Sequence, residues 1–141
     1  MFLLDSNVIS ELRSVKRCDP RVRAWERNTP LAVCWISVMA LLEIQQGICR
    51  VKGKDAAFAE VLGQWLEDRV KPAFAGRILA VTPPVAERAG RIAALRTRGL
   101  ADCLIAATAL EHGLALVTRN IADFADLEGL ELVNPWDPSG Q

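Results

Sequence analysis

The chain has 141 residues, 51% hydrophobic and 24% charged, with 17 Lys+Arg set against 17 Asp+Glu. That length suits one domain that buries a core without disulfides or a structural metal, and zero net charge argues against a protein that coats nucleic acid by electrostatics alone. No apolar run approaches the roughly 20 residues of a membrane span, and Asp5 interrupts the apolar Met1–Leu4 start too early for an export signal.

Met1–Leu4 reads as a short buried strand ending in Asp5, followed after Ser6 and Asn7 by a short helix, Val8–Leu12. A second helix is expected over 19–28, with Asp19 as N-cap and Pro20 at the first helical position, broken by Thr29-Pro30. Ala32–Ile36 is a second strand, and Ser37 caps a helix from Val38 to about Arg50. After a polar turn, residues 55–71 predict a long amphipathic helix with Phe58, Val61, Leu62, Trp65 and Leu66 on one face. Ile78–Val81 is a third strand, ended by Pro83-Pro84. A helix over 84–98, a break at Gly99 and a helix over Asp102–Glu111 follow. Leu114–Thr118 and Leu130–Val133 are the last strands. Strands alternating with helices predict a three-layer α/β/α sandwich around a mainly parallel sheet of four or five strands. Residues 1–136 are expected to form one domain and 137–141 a tail.

Cys18, Cys34, Cys49 and Cys103 form no Cys-x-x-Cys pair, and His112 is the only histidine. Zinc binding and histidine-based nucleophilic catalysis are therefore disfavoured. The thiols read as free and partly core-packed in a reducing compartment, and His112, before Gly113, as a helix-end residue. Trp25, Trp35, Trp65 and Trp136 are many tryptophans for so short a chain. Aromatics left exposed on one face would mark a homodimer contact and an apolar groove for a partner.

The acids at strand and helix ends are the candidates for chemistry. Asp5 closes the first strand, where open α/β sheets bind ligands, although a plain helix N-cap would look the same. Glu43 sits in a helix reading Leu41-Leu42-Glu43-Ile44, on either a solvated face or a site wall. Asp102 opens a helix rich in small residues, which lets it approach the sheet and aims the acid toward Asp5; offsetting the helix dipole is the bland reading. Asn120 and Asp123 follow the fourth strand, where Asn also suits a turn. Acids combined with so little histidine and no paired cysteines suit a hard divalent cation held by oxygen.

Together these segments resemble the PIN-domain proteins, specifically the VapC and FitB-like toxins of type II toxin–antitoxin pairs. The resemblance rests on Leu3-Leu4-Asp5-Ser6-Asn7-Val8-Ile9-Ser10-Glu11-Leu12, on Ser37–Ile48 around Glu43, and on Phe74-Ala75-Gly76-Arg77-Ile78-Leu79. It continues through Ala101-Asp102-Cys103-Leu104-Ile105-Ala106-Ala107-Thr108-Ala109, Leu116–Phe124 and Asn134-Pro135-Trp136, and so spans essentially the whole chain. It implies a Rossmann-like fold, Mg²⁺- or Mn²⁺-dependent cleavage of single-stranded RNA, homodimers, a blocking antitoxin and a cytoplasmic location. It makes Asp5, Glu43 and Asp102 the catalytic and metal-holding acids, with Asn120 in a place many members fill with a fourth acid and Asp123 as a stand-in metal ligand. Ser6 and Asn7 would orient the carboxylates, and Arg119 would hold an RNA phosphate. Arg98-Gly99-Leu100-Ala101-Asp102 departs from the pattern, since relatives usually carry several more residues between that Gly and the Asp. A haloacid-dehalogenase-type phosphatase would need an acid where Asn7 stands. The remaining alternative is a catalytically silent PIN module that acts by binding protein.

Overall fold

Side chains alternate between the two faces of a strand, so each strand of a covered sheet feeds two separate cores. The computed structural model, which describes residues 1–140, has this arrangement. Strands β1 (Phe2–Leu4), β2 (Cys34–Ser37), β3 (Ile78–Leu79), β4 (Ala115–Val117) and β5 (Leu132–Val133) form a five-stranded sheet, all parallel, in the order β3-β2-β1-β4-β5. Leu4, Ala115 and Val117 face one core, while Leu3 and Leu116 face the other.

The first core is covered by α1 (Ser6–Leu12), α2 (Pro20–Arg27), α3 (Val38–Lys52) and α4 (Ala56–Trp65), through residues such as Val8, Val22, Ile44 and Ala59. Helix α4 runs through a π-helical segment, Leu66–Val70, into a last turn, α5 (Lys71–Ala73). The second core is covered by α6 (Pro83–Leu95) and α7 (Leu100–His112), with Val85, Ile92, Ile105 and Phe124 at its centre. Ala106, Ala107 and Ala109 are fully buried, so small side chains do bring α7 close to the sheet. Gly113 ends α7 in the left-handed conformation (φ 64°), which a Cβ would strain. Arg77 ties the entry to β3 onto its neighbours by donating to the carbonyls of Leu31, Cys34 and Ala73.

Several boundaries differ from the sequence expectation, each for a local reason. Helix α1 starts at Ser6 because the Asp5 carboxylate accepts the Ser6 N–H. Strand β2 starts at Cys34 because Leu31–Val33 close into a 3-10 turn. Helix α6 stops at Leu95, since Arg96 is extended, and α7 begins at Leu100 with Gly99 as N-cap. Phe58 and Val61 are exposed; α4 and the π segment instead bury Ala59, Leu66 and Val70, with Leu62 and Trp65 partly covered. Trp136 is buried and Trp25, Trp35 and Trp65 are half-buried, so no tryptophan stands exposed on a common face. Cys18, Cys34 and Cys103 are buried, Cys49 is exposed, and all four are free thiols. Of the expected tail, Pro138–Gly140 form a 3-10 turn and Gln141 lies outside the described residues. Among the described residues no helix is long and apolar enough to cross a membrane.

Candidate active site

The strand order fixes where a ligand fits. From β1 the chain builds outward through β2 and β3, then returns to place β4 on the opposite side of β1. The direction of winding therefore reverses between β1 and β4, and ligands bind beyond the carboxyl ends of the strands at such a point. Asp5 and Thr118, the residues following β1 and β4, stand there side by side.

Asp5 is 4% exposed and its carboxylate is held from several directions. Oδ1 accepts the Ser6 N–H at 2.8 Å, while Oδ2 accepts the Thr118 hydroxyl at 2.8 Å and the Asn7 amide at 3.4 Å. Burial pushes its pKa up, only partly offset by the hydrogen bonds from Thr118 and Ser6, and the Asp123 charge pushes the same way. Glu43 points in from α3, half-buried, and Oε1 accepts the Ser6 hydroxyl at 3.1 Å. Burial raises its pKa as well, against the Ser6 hydrogen bond, and the charges of Asp5 and Asp102 add to the rise. Asp102, the third residue of α7, is half-buried, and burial followed by the charges of Asp5 and Asp123 lifts its pKa while Arg98 pulls it down.

Three segments far apart in sequence thus bring their acids within electrostatic reach of one another, each destabilised as an anion. Ser6 bridges two of them, with its N–H on Asp5 and its hydroxyl on Glu43. Asn7 spans the gap between β1 and β4: its amide donates to Asp5 and Thr118, and its Oδ1 accepts the Arg119 N–H at 3.4 Å. Asn120 is exposed and gives the network its backbone N–H, which donates to the Thr118 hydroxyl at 3.1 Å. Among the described residues no hydrogen bond joins the Asn120 side chain to the acids. Asp123 ends the 3-10 turn Ile121–Asp123 and is exposed, although Asp5 and Asp102 both feel its charge. The Arg119 guanidinium rests over the Trp136 ring, 5.3 Å from its centre, at the rim of the site.

Thr118 is the residue that sequence reasoning passed over. It is fully buried and serves as donor to Asp5 and acceptor from Asn7 and Asn120. A hydroxyl directly after an apolar strand, in register with Asp5 across a parallel pair, was the available signal.

The donor set is all oxygen, which suits a hard divalent cation. Among the described residues no three acidic, histidine or cysteine side chains are already assembled as a ligand cage. A hard ion such as Mg²⁺ keeps several waters and takes only one or two carboxylates from a protein. The charge of Asp5 reaches Asp102 and Glu43, and that of Asp123 reaches Asp5 and Asp102, so these four carboxylates are the oxygens available to such an ion.

Comparison with known proteins agrees with this architecture. A family model described as PIN domain matches residues 2–130. The VapC ribonuclease Y4jK of Sinorhizobium fredii is 34% identical over 145 residues, covering 99% of this chain and all of the relative. Toxin FitB of Neisseria gonorrhoeae is 37% identical over 143 residues, covering 96% of this chain and 99% of FitB. The crystal structure of FitAcB from the same organism superposes with a TM-score of 0.83 at 35% identity, covering 96% of this chain and 99% of the other.

Proposed function

Because this chain belongs to the PIN-domain family, we propose that it is the toxin of a type II toxin–antitoxin pair: a divalent-metal-dependent endoribonuclease. The observation that carries this reading is the meeting of Asp5, Glu43 and Asp102 at the switch point of the sheet, each pushed toward protonation by burial and by its neighbours. Such a cluster costs stability unless a cation joins it. Asp5 and Asp102 would hold Mg²⁺ or Mn²⁺ there, and the ion would lower the pKa of a water and stabilise charge on a phosphodiester.

The chain's own residues perform the remaining tasks. Thr118 and Asn7 lock one oxygen of Asp5, and Ser6 locks the other, so the carboxylate presents a fixed face. Glu43, steered by the Ser6 hydroxyl, would accept a proton from the attacking water, a role helped by burial raising its pKa above the ordinary carboxylate value. Arg119 would take a flanking phosphate of the RNA, with Trp136 supporting its guanidinium.

An antitoxin would find a seat nearby. Trp25, Trp65, Leu12 and Phe74 help to line an apolar groove of about 300 Å³ between α1, α2 and the end of α4. A second groove of about 340 Å³ shares Trp65 and reaches Glu43 past Phe58, Arg13 and Ser10. A segment filling both would reach Glu43. We infer a cytoplasmic location from RNA as substrate and an antitoxin as partner, and a homodimer as the acting form.

The test is cleavage of single-stranded RNA by the purified full chain. Chelator should abolish cleavage, and Mg²⁺ or Mn²⁺ should restore it. A folded chain inert with either ion would instead be the silent module.

A further inference from the structure

The connection between α6 and α7 is four residues, Arg96–Gly99, and it is pinned from the far side. Arg98 belongs to this surface turn, yet its side chain is only 3% exposed. Its guanidinium grips Asp126 with both ends: Nη1 donates to Oδ1 at 3.1 Å and Nη2 to Oδ2. Nη1 also donates to the Asp123 carbonyl at 2.9 Å. Arg96 reinforces the join, donating to the Asp123 carbonyl at 2.8 Å and to the Ala122 carbonyl at 3.4 Å.

These bonds link two candidate ligands that no strand connects. On one side, Arg98 precedes Gly99, the N-cap of α7, and a Cβ at Gly99 would stand 3.7 Å from Asp102 Oδ2. On the other side, the gripped carbonyl is that of Asp123 itself, at the end of the Ile121–Asp123 turn. Phe124 and Leu127 anchor that segment in the same core as Cys103 and Ile105 of α7, and the Arg98 bonds fix the turn just before them. A planar guanidinium fixes both distance and angle when it binds a carboxylate with two parallel bonds.

We propose that Arg98 is a positioning residue: locked onto Asp126, it is a strut that holds the Asp123 turn against the start of α7 and so sets the spacing of Asp123 from the Asp5–Asp102 pair. The proposal rests on the reading of Asp5 and Asp102 as the metal-holding acids.

The strut can be cut from either end. Asp126→Asn leaves α7 untouched at a half-exposed position, and Arg98→Lys keeps the charge but cannot form the paired bonds. Each full-length variant is measured by calorimetry with Mn²⁺ without RNA, by kcat and KM on single-stranded RNA, and by thermal melting. Each should bind Mn²⁺ about tenfold more weakly, as loss of an outer support typically does. Each should lose kcat with KM little changed, and the double variant should lose less than the two single losses combined, because both cut the Arg98–Asp126 pair. Mn²⁺ affinity and kcat equal to wild type, whether or not the melting temperature falls, would overturn the strut. Asp5→Ala separates the two readings: if it binds Mn²⁺ as wild type does, the metal site lies elsewhere and both fall.

Discussion

Asp5 has the most exacting surroundings in the molecule, and Thr118 supplies the most buried part of them. Replacing Thr118 with valine keeps the shape and removes the donor. The Asp5 carboxylate would then lose its strongest offset against burial, so its pKa should rise further. We expect Thr118→Val to lower kcat/KM about 10–100-fold, as outer-shell losses do, and to move the acid limb of the pH–rate profile upward. An unmoved limb would mean that Thr118 only packs. Asp5 itself was legible from its place at a strand end. Thr118 was not, because a threonine after a strand is chemically ordinary until the parallel register sets it beside an acid.

At the scale of elements, the turn after β4 decides how many cations the site can take. Asn120 offers a neutral oxygen and Asp123 a carboxylate, both exposed on a short 3-10 segment. A carboxylate holds a hard cation more tightly than an amide. We expect one tight metal without RNA, tighter still in Asn120→Asp, and a smaller loss of activity in Asp123→Ala than in Asp5→Ala. Calorimetry showing two equally tight metals in the wild-type chain would contradict this. The element order and the parallel sheet were readable from alternating apolar runs. The boundaries were less so, because caps and tertiary bonds set them: Asp5 starts α1 early, and Gly99 starts α7 early. That second shift makes Asp102 the third residue of the helix rather than its first. The inward turn of Arg98 had no sequence signal, since its partner Asp126 is 28 residues away.

For the whole molecule, the clustered acids make stability depend on pH and on metal together. Asp5, Glu43 and Asp102 have folded pKa values raised above their ordinary 3.8, 4.5 and 3.8. Between those ordinary values and the raised ones the folded chain binds more protons than the unfolded chain, so stability rises as pH falls through that window. Asp19, lowered to about 2 by its bonds to Arg21, and Asp126, lowered by Arg98, act oppositely: their stabilisation is lost as pH falls below 3.8. In chelator, the melting temperature should therefore climb as pH is lowered through that window toward the ordinary carboxylate values. Mn²⁺ should raise it at neutral pH by binding the folded state, and that gain should fade on acidification. A melting temperature that falls steadily over this range in chelator would show that the acids do not repel one another as described.

The joint action of the three acids is the claim on which the rest depends, and it is most directly tested by RNA cleavage rates at saturating Mn²⁺ for Asp5→Ala, Glu43→Ala and Asp102→Ala, with circular dichroism confirming the fold. Each single variant should lose about 100-fold or more, and pairs of substitutions should cost little beyond either alone, because the acids act as one unit. An Asp102→Ala chain that cleaves RNA at near the wild-type rate would contradict the account, since the short connection would then have carried that acid away from the chemistry.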